Sequence, residues 1–173
     1  MDHFRVKLFA VTSPGFDLSN AIPVFHRWIQ NKVVGELLID VADYRHVPDG
    51  PGVLLVAHEA HYSLDANGAL LYARRTALSG TPADKVAQAW EAATAAASIL
   101  EAEPEFAGKI LFDRRRCEIS VNDRLLAPNT PESRAALEPE LRRVLDQAWG
   151  SGSYQLNSVG EPRDLLTFAA ERS

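Results

Sequence analysis

Asp40, Asp43, His46, His58, Glu59, His61 and Asp65 crowd the stretch between residues 40 and 65. Carboxylates and imidazoles are the side chains of general acid–base catalysis and of metal ligation. The run His58-Glu59-Ala60-His61 invites comparison with a zinc-protease motif. That motif needs two histidines four apart on a helix, so that both face one ion. Here they are three apart in a segment, 53–64, that reads as one long strand. Strand side chains alternate, so the two imidazoles are expected on opposite faces and no metal site is expected.

The neighbours of each group follow from the expected pairing. A two-residue turn at Asn67-Gly68 would set His61 opposite Arg74, with Glu59 diagonal to it. Those three then form a solvated polar cluster. His58 falls with Leu54, Val56, Ala60, Tyr62 and Leu64 on the more apolar face. Asp40 sits inside Leu38-Ile39-Asp40-Val41, where a carboxylate needs a partner. If the 44–52 loop closes symmetrically, Asp40 pairs near Val56 and lies diagonal to His58. The resulting Asp40–His58 pair is either a structural hydrogen bond or a general base oriented by its carboxylate. A register slip of one residue removes it. Asp43, His46 and Tyr62 are the ligand-binding candidates, the first two in the loop that follows Asp40. The competing reading of that loop is a proline-stiffened connection.

Other polar runs have simpler explanations. Arg114-Arg115-Arg116 reads as a solvated turn between two short strands, and Cys117 as an inward-facing small hydrophobe. Arg124 and Asn129 fall among residues typical of turns and helix caps.

The elements that hold these groups are read from pattern. Residues 4–11 form a first strand. Asp17 or Ser19 caps a helix with a stripe of Ile22, Phe25 and Ile29, and Trp28 at its margin. Residues 36–42 form a near-continuous apolar strand. Strand, helix and strand together suggest a right-handed parallel crossover. A hairpin follows, from 53–64 to 69–75. Thr81-Pro82 starts a helix that runs to about Ala102. The second half repeats this outline with strands at 109–112 and 117–121, a turn at Asn122-Asp123 and a return at 124–127. A helix then begins at Thr130-Pro131, with Leu137, Leu141, Val144 and Ala148 on its face and Pro139 as a kink. A hairpin around Gly160-Glu161-Pro162 closes the chain. The parallel outlines raise an internal ββα duplication.

The whole is expected to be one α+β domain with a mixed, mainly antiparallel sheet and about three helices packed mostly on one face. The chain has 173 residues, 46% apolar and 24% charged, enough for one self-sufficient core. Its net charge of -5 argues against nucleic acid as a partner. That charge is uneven, -1 over residues 1–80 (8 acids, 7 bases) and -4 over 81–173 (15 acids, 11 bases). One cysteine excludes a disulfide framework. No phosphate loop or dinucleotide fingerprint is present, so no cofactor is expected. No apolar run is long enough to span a membrane, and the first residues lack the pattern of a secretory signal, so a cytoplasmic protein is expected. The leading functional expectation is a soluble module that binds a partner protein or small ligand. The alternatives are a hydrolase or acid–base enzyme using Asp40 and His58, and a structural homo-oligomer.

Overall fold

The computed structural model describes residues 1–173. In the first strand, β1 (Phe4–Thr12), Phe4, Val6 and Leu8 are buried and alternate with half-buried Arg5, Lys7 and Phe9. That two-residue period gives the strand one face for a core and one for solvent. β1 lies inside an eight-stranded sheet. The other strands are β2 (Leu38–Tyr44), β3 (Gly52–Ala57), β4 (Ala60–Leu64), β5 (Leu70–Arg74), β6 (Ile110–Val121), β7 (Tyr154–Val159) and β8 (Leu166–Arg172). Their spatial order is β2-β3-β4-β5-β1-β6-β8-β7. Every neighbouring pair is antiparallel.

The helices are α1 (Ala21–Asn31), α2 (Pro82–Ala102) and α3 (Pro131–Trp149), all on one face of the sheet. α2 lies over β1, β5 and β6; α1 covers β2 and β3; α3 covers β7 and β8 and packs on α2. Seven residues of α2 are buried, five of them alanines, which lets the helix approach the sheet closely. Its start is a full capping box, in which the Thr81 hydroxyl accepts from the Asp84 N–H and the Asp84 carboxylate accepts from the Thr81 N–H. One hydrophobic cluster of 40 buried residues fills the space between sheet and helices.

Several expectations change on the structure. The 53–64 segment is two strands, because the chain reverses at His58-Glu59. The His58 N–H donates to the Leu37 carbonyl, and the Arg75 and Thr76 N–H groups donate to that of Glu59. No residue of this turn needs a positive φ, so it has no glycine or asparagine to betray it.

The next hairpin turns one residue earlier than expected. The Asp65 carboxylate accepts from the N–H groups of Asn67 and Ala69, and Gly68 alone takes a positive φ, 80°. The pairing becomes Leu64 with Leu70, so His61 faces Ala73 and Arg74 faces Ala60. A one-residue slip moves a whole strand's side chains to the other face. Arg74 therefore sits on the helix-covered face, away from His61.

The second-half duplication is absent in the structure. Residues 110–121 are one strand, and 124–127 form turns rather than a return strand. Residues 113–116 stand opposite Phe9 alone, so the arginine run is a bulge within β6. The crossover from β1 through α1 to β2 ends parallel to β1 but with three strands, β3, β4 and β5, between them. On α1 the buried side is Ala21, Val24, Phe25 and Trp28, which brings Trp28 from the margin to the centre. α3 continues through Pro139, and Trp149 rather than Ala148 completes its buried face.

Candidate functional site

A cleft of about 460 Å³ opens on the helix side of the sheet, between the α1–β2 connection and α2. Its floor is Arg74, the only arginine or lysine among the buried residues, at 8% exposure. Arg74 Nη1 donates to Glu59 Oε2 at 3.1 Å, and its Nε donates to the Thr76 carbonyl at 3.1 Å. The register described above is what turns this side chain inward. The turn at His58-Glu59 brings its carboxylate partner to the same end.

Two tyrosines of the same face stand beside Arg74. Tyr62 on β4 and Tyr72 on β5 pair across the strands, with ring centroids 5.1 Å apart in an edge arrangement. The Tyr62 hydroxyl donates to Glu36 Oε2 at 2.8 Å. The Tyr72 hydroxyl and the Gln88 side chain are hydrogen-bonded, with Gln88 Nε2 donating at 2.9 Å. Burial suppresses the ionisation of both phenols, pushing it to higher pH, and the Glu36 charge adds to this for Tyr62. Both hydroxyls stay protonated and serve as donors rather than bases.

Glu91 on α2 completes the polar rim, while Leu78 and Ala92 give apolar wall. The charge balance decides what this cleft accepts. Arg74 is answered by Glu59, which leaves the Glu36 and Glu91 carboxylates without a cation in the cleft. The result is a slot with one apolar side and an excess of two negative charges.

Of the ligand-binding candidates singled out from sequence, Tyr62 is buried behind this cleft and touches it only through its hydrogen bond to Glu36. Asp43 and His46 lie elsewhere, at the β2–β3 turn. There the Arg45 guanidinium forks onto Asp43, Nε to Oδ1 at 2.8 Å and Nη2 to Oδ2 at 2.7 Å, while His46 stacks on Tyr44. The adjoining cleft is larger, about 550 Å³, and is lined by Lys7, Tyr44, Arg45, Asp65 and others. Its two cations are each paired, Arg45 with Asp43 and Lys7 with Asp65 at 4.0 Å, which leaves Asp49 as its one carboxylate outside an ion pair. Asp40 does face Val56 as expected, but its carboxylate is exposed on an edge strand and accepts from the Val41 N–H. His58 is exposed in the turn rather than aligned on a strand's apolar face. No hydrogen bond or ion pair joins Asp40 to His58. Glu59, His61 and Arg74 do not share a face either, although Glu59 and Arg74 are an ion pair.

Sequence reasoning missed Glu36, Gln88 and Glu91. Only the spacing of Gln88 and Glu91 on α2 carried a trace of them, since three residues along a helix is one face. No group of three or more His, Cys, Asp or Glu side chains gathers as a metal would require. No helix is long and apolar enough to cross a membrane. The chain matches no protein-family model and no curated protein.

The Asp43 fork gives a sharp titration. Hydrogen bonds from Arg45 hold the Asp43 carboxyl down at about 2. A depressed carboxyl stabilises the fold above its unfolded value and loses that effect as pH falls through the folded one. Carboxyl-carbon NMR should therefore place the Asp43 midpoint near 2, and Arg45→Ala should return it to the usual carboxylate range. An unchanged midpoint in Arg45→Ala would remove the fork as its cause.

Proposed function

We propose that this single-domain α+β protein is a binding module whose ligand is a small organic cation, an aliphatic amine or guanidine, held in the cleft above Arg74. The observation that carries this reading is the charge balance of that cleft, with a buried Arg74 already paired and two carboxylates left over. An ammonium between Glu36 and Glu91 gains charge-assisted hydrogen bonds. Its alkyl portion rests on Leu78 and Ala92. Tyr62 fixes one Glu36 oxygen by its hydrogen bond and leaves the other to accept from the ligand. The Arg74 charge at the floor is already answered by Glu59, so it does not oppose a cationic ligand.

Arg74 and Glu91 stand on β5 and α2, while Glu36, on the α1–β2 connection, is held in place by the Tyr62 hydroxyl. The expected result is saturable binding by at least one member of an amine and guanidine panel, read by calorimetry. Removing one of two charge-assisted contacts costs about 1.5–3 kcal/mol, so Glu36→Gln should weaken binding by roughly tenfold or more. The variant should fold as the parent does, because Glu36 is only half-buried. Equal affinity in Glu36→Gln and parent would place the ligand elsewhere.

A further inference from the structure

The cleft above Arg74 does not end at Glu36. Gly35 and Glu36 also line a second groove of about 340 Å³, so the two hollows meet at this dipeptide. The second groove is walled by Ile29, Val34, Leu37 and Leu38, with Lys32 beside them. Its wall is open to a ligand, since Leu37 is 69% exposed. Gly35 keeps the boundary between the hollows low. A Cβ placed there would meet no atom within 4 Å, and its φ is not in the left-handed region. The backbone therefore does not require glycine at this position. What the missing side chain leaves is a passage from one hollow to the other.

We propose that the ligand is a monoamine with an unbranched apolar tail, its ammonium on Glu36 and Glu91 and its tail crossing Gly35 into the second groove. This inference rests on the cation reading of the cleft and narrows it. Continuity is the first argument. Glu36 lines both hollows, so an ammonium held by its free oxygen stands at the mouth of the second groove. The carbons next to the ammonium rest on Leu78 and Ala92, and a longer chain continues over Gly35 onto Val34, Leu37 and Leu38.

Charge is the second argument, and it selects a monoamine over a polyamine. The carboxylates without a cation, Glu36 and Glu91, belong to the first cleft. The one charged residue that belongs to the second groove alone is Lys32, a cation. A second ammonium there would meet a like charge and an apolar wall, whereas an alkyl chain can lie along the lysine's own methylenes. Size is the third argument. Ligand pockets run from about 300 to 1,000 Å³. At about 460 and 340 Å³ each hollow alone lies near the lower limit, and a ligand that spans both fills an ordinary site.

Calorimetry on the full chain with straight-chain amines from butylamine to octylamine tests it. A fully buried methylene is worth about fourfold in affinity, and a groove open on one side about twofold. Octylamine should therefore bind roughly tenfold or more tighter than butylamine, and tighter than the terminal diamine of the same chain length. Gly35→Gln, which obstructs the passage, and Leu37→Asn, which removes apolar wall, should each cut the octylamine-to-butylamine affinity ratio by about threefold or more. Both positions are exposed, so both variants should fold as the parent does. Equal affinity across the series, or a gain with length that neither variant reduces, overturns the tail. If Glu36→Gln still weakens butylamine in that case, the cation reading stands without it. A diamine that binds tighter than octylamine overturns the monoamine. Binding of no amine at all removes both the tail and the cation reading.

Discussion

Trp28→Ala should lower the free energy of unfolding by about 3–5 kcal/mol, the range for truncating a buried large aromatic side chain. Trp28 is wholly buried on α1 and lies edge-on to Phe25, with centroids 5.5 Å apart. Its indole N–H also donates to Glu103 Oε1 at 2.6 Å. Glu103 ends α2 and is simultaneously paired with Arg27, which itself bonds Glu105 at 2.9 Å. One side chain thus fills the space under α1 and ties that helix to the end of α2. The truncated variant loses apolar contact, gains a cavity and leaves Glu103 short of a donor. Trp28→Phe separates these effects, since it keeps most of the ring volume and removes only the N–H. Losing one charge-assisted hydrogen bond and some volume should cost about 1.5–3 kcal/mol. Urea unfolding measures both, and an unchanged denaturant slope identifies a stability effect rather than a changed unfolded state. A loss below about 1 kcal/mol in Trp28→Ala would mean that α1 does not seal the core.

Cys117 should be inert to alkylation in the folded protein and reactive once it unfolds. The residue is 1% exposed on the helix side of β6, and burial pushes its thiol up to about 12. The thiolate is the reactive form. Against the ordinary thiol value of 9.0, that shift leaves about a thousandfold less thiolate at neutral pH. Steric exclusion acts in the same direction. The three neighbouring arginines do not oppose it, because the bulge carries them away from the core. Arg114 pairs with Glu101 at 2.7 Å, and the Arg116 guanidinium lies 5.1 Å from the centre of the Phe9 ring. Labelling at the rate of a free thiol in native buffer would contradict this placement. Labelling that tracks unfolding in urea would agree with it, and Trp28→Ala should accelerate it by lowering the opening free energy.

The fold was legible where sequence signals are local and redundant. α2 runs over Pro82–Ala102 as expected because a threonine cap, a proline, an acid and an alanine-rich body all agree. The closing hairpin, Tyr154–Val159 with Leu166–Arg172, follows its Gly-Glu-Pro turn. The candidate site was illegible for the opposite reason. It depends on the register of β4 against β5, and that register depends on whether the turn begins at Asp65 or Asn67. The Asp65 carboxylate settles it by capping two N–H groups, a choice that propensity alone does not make. The shift takes Arg74 from the open face to the core. The turn at His58-Glu59 is equally silent in sequence, yet it both removes His58 from a strand and delivers Glu59 to Arg74. Glu36 was invisible because its role comes from Tyr62, a contact 26 residues away in the chain.

The most direct test of the binding reading is a proton–nitrogen NMR titration that follows the side-chain Nε–H of Arg74 with a small amine or guanidine as probe. That proton is held by the Thr76 carbonyl at the floor of the cleft, away from bulk water. Saturable movement of the Arg74 signal in the parent, lost or strongly weakened in Glu36→Gln, is the expected result. A bound cation that moves signals of Arg45 and Lys7 while Arg74 stays fixed would contradict it, and so would an Arg74 signal unmoved by every amine and guanidine tried.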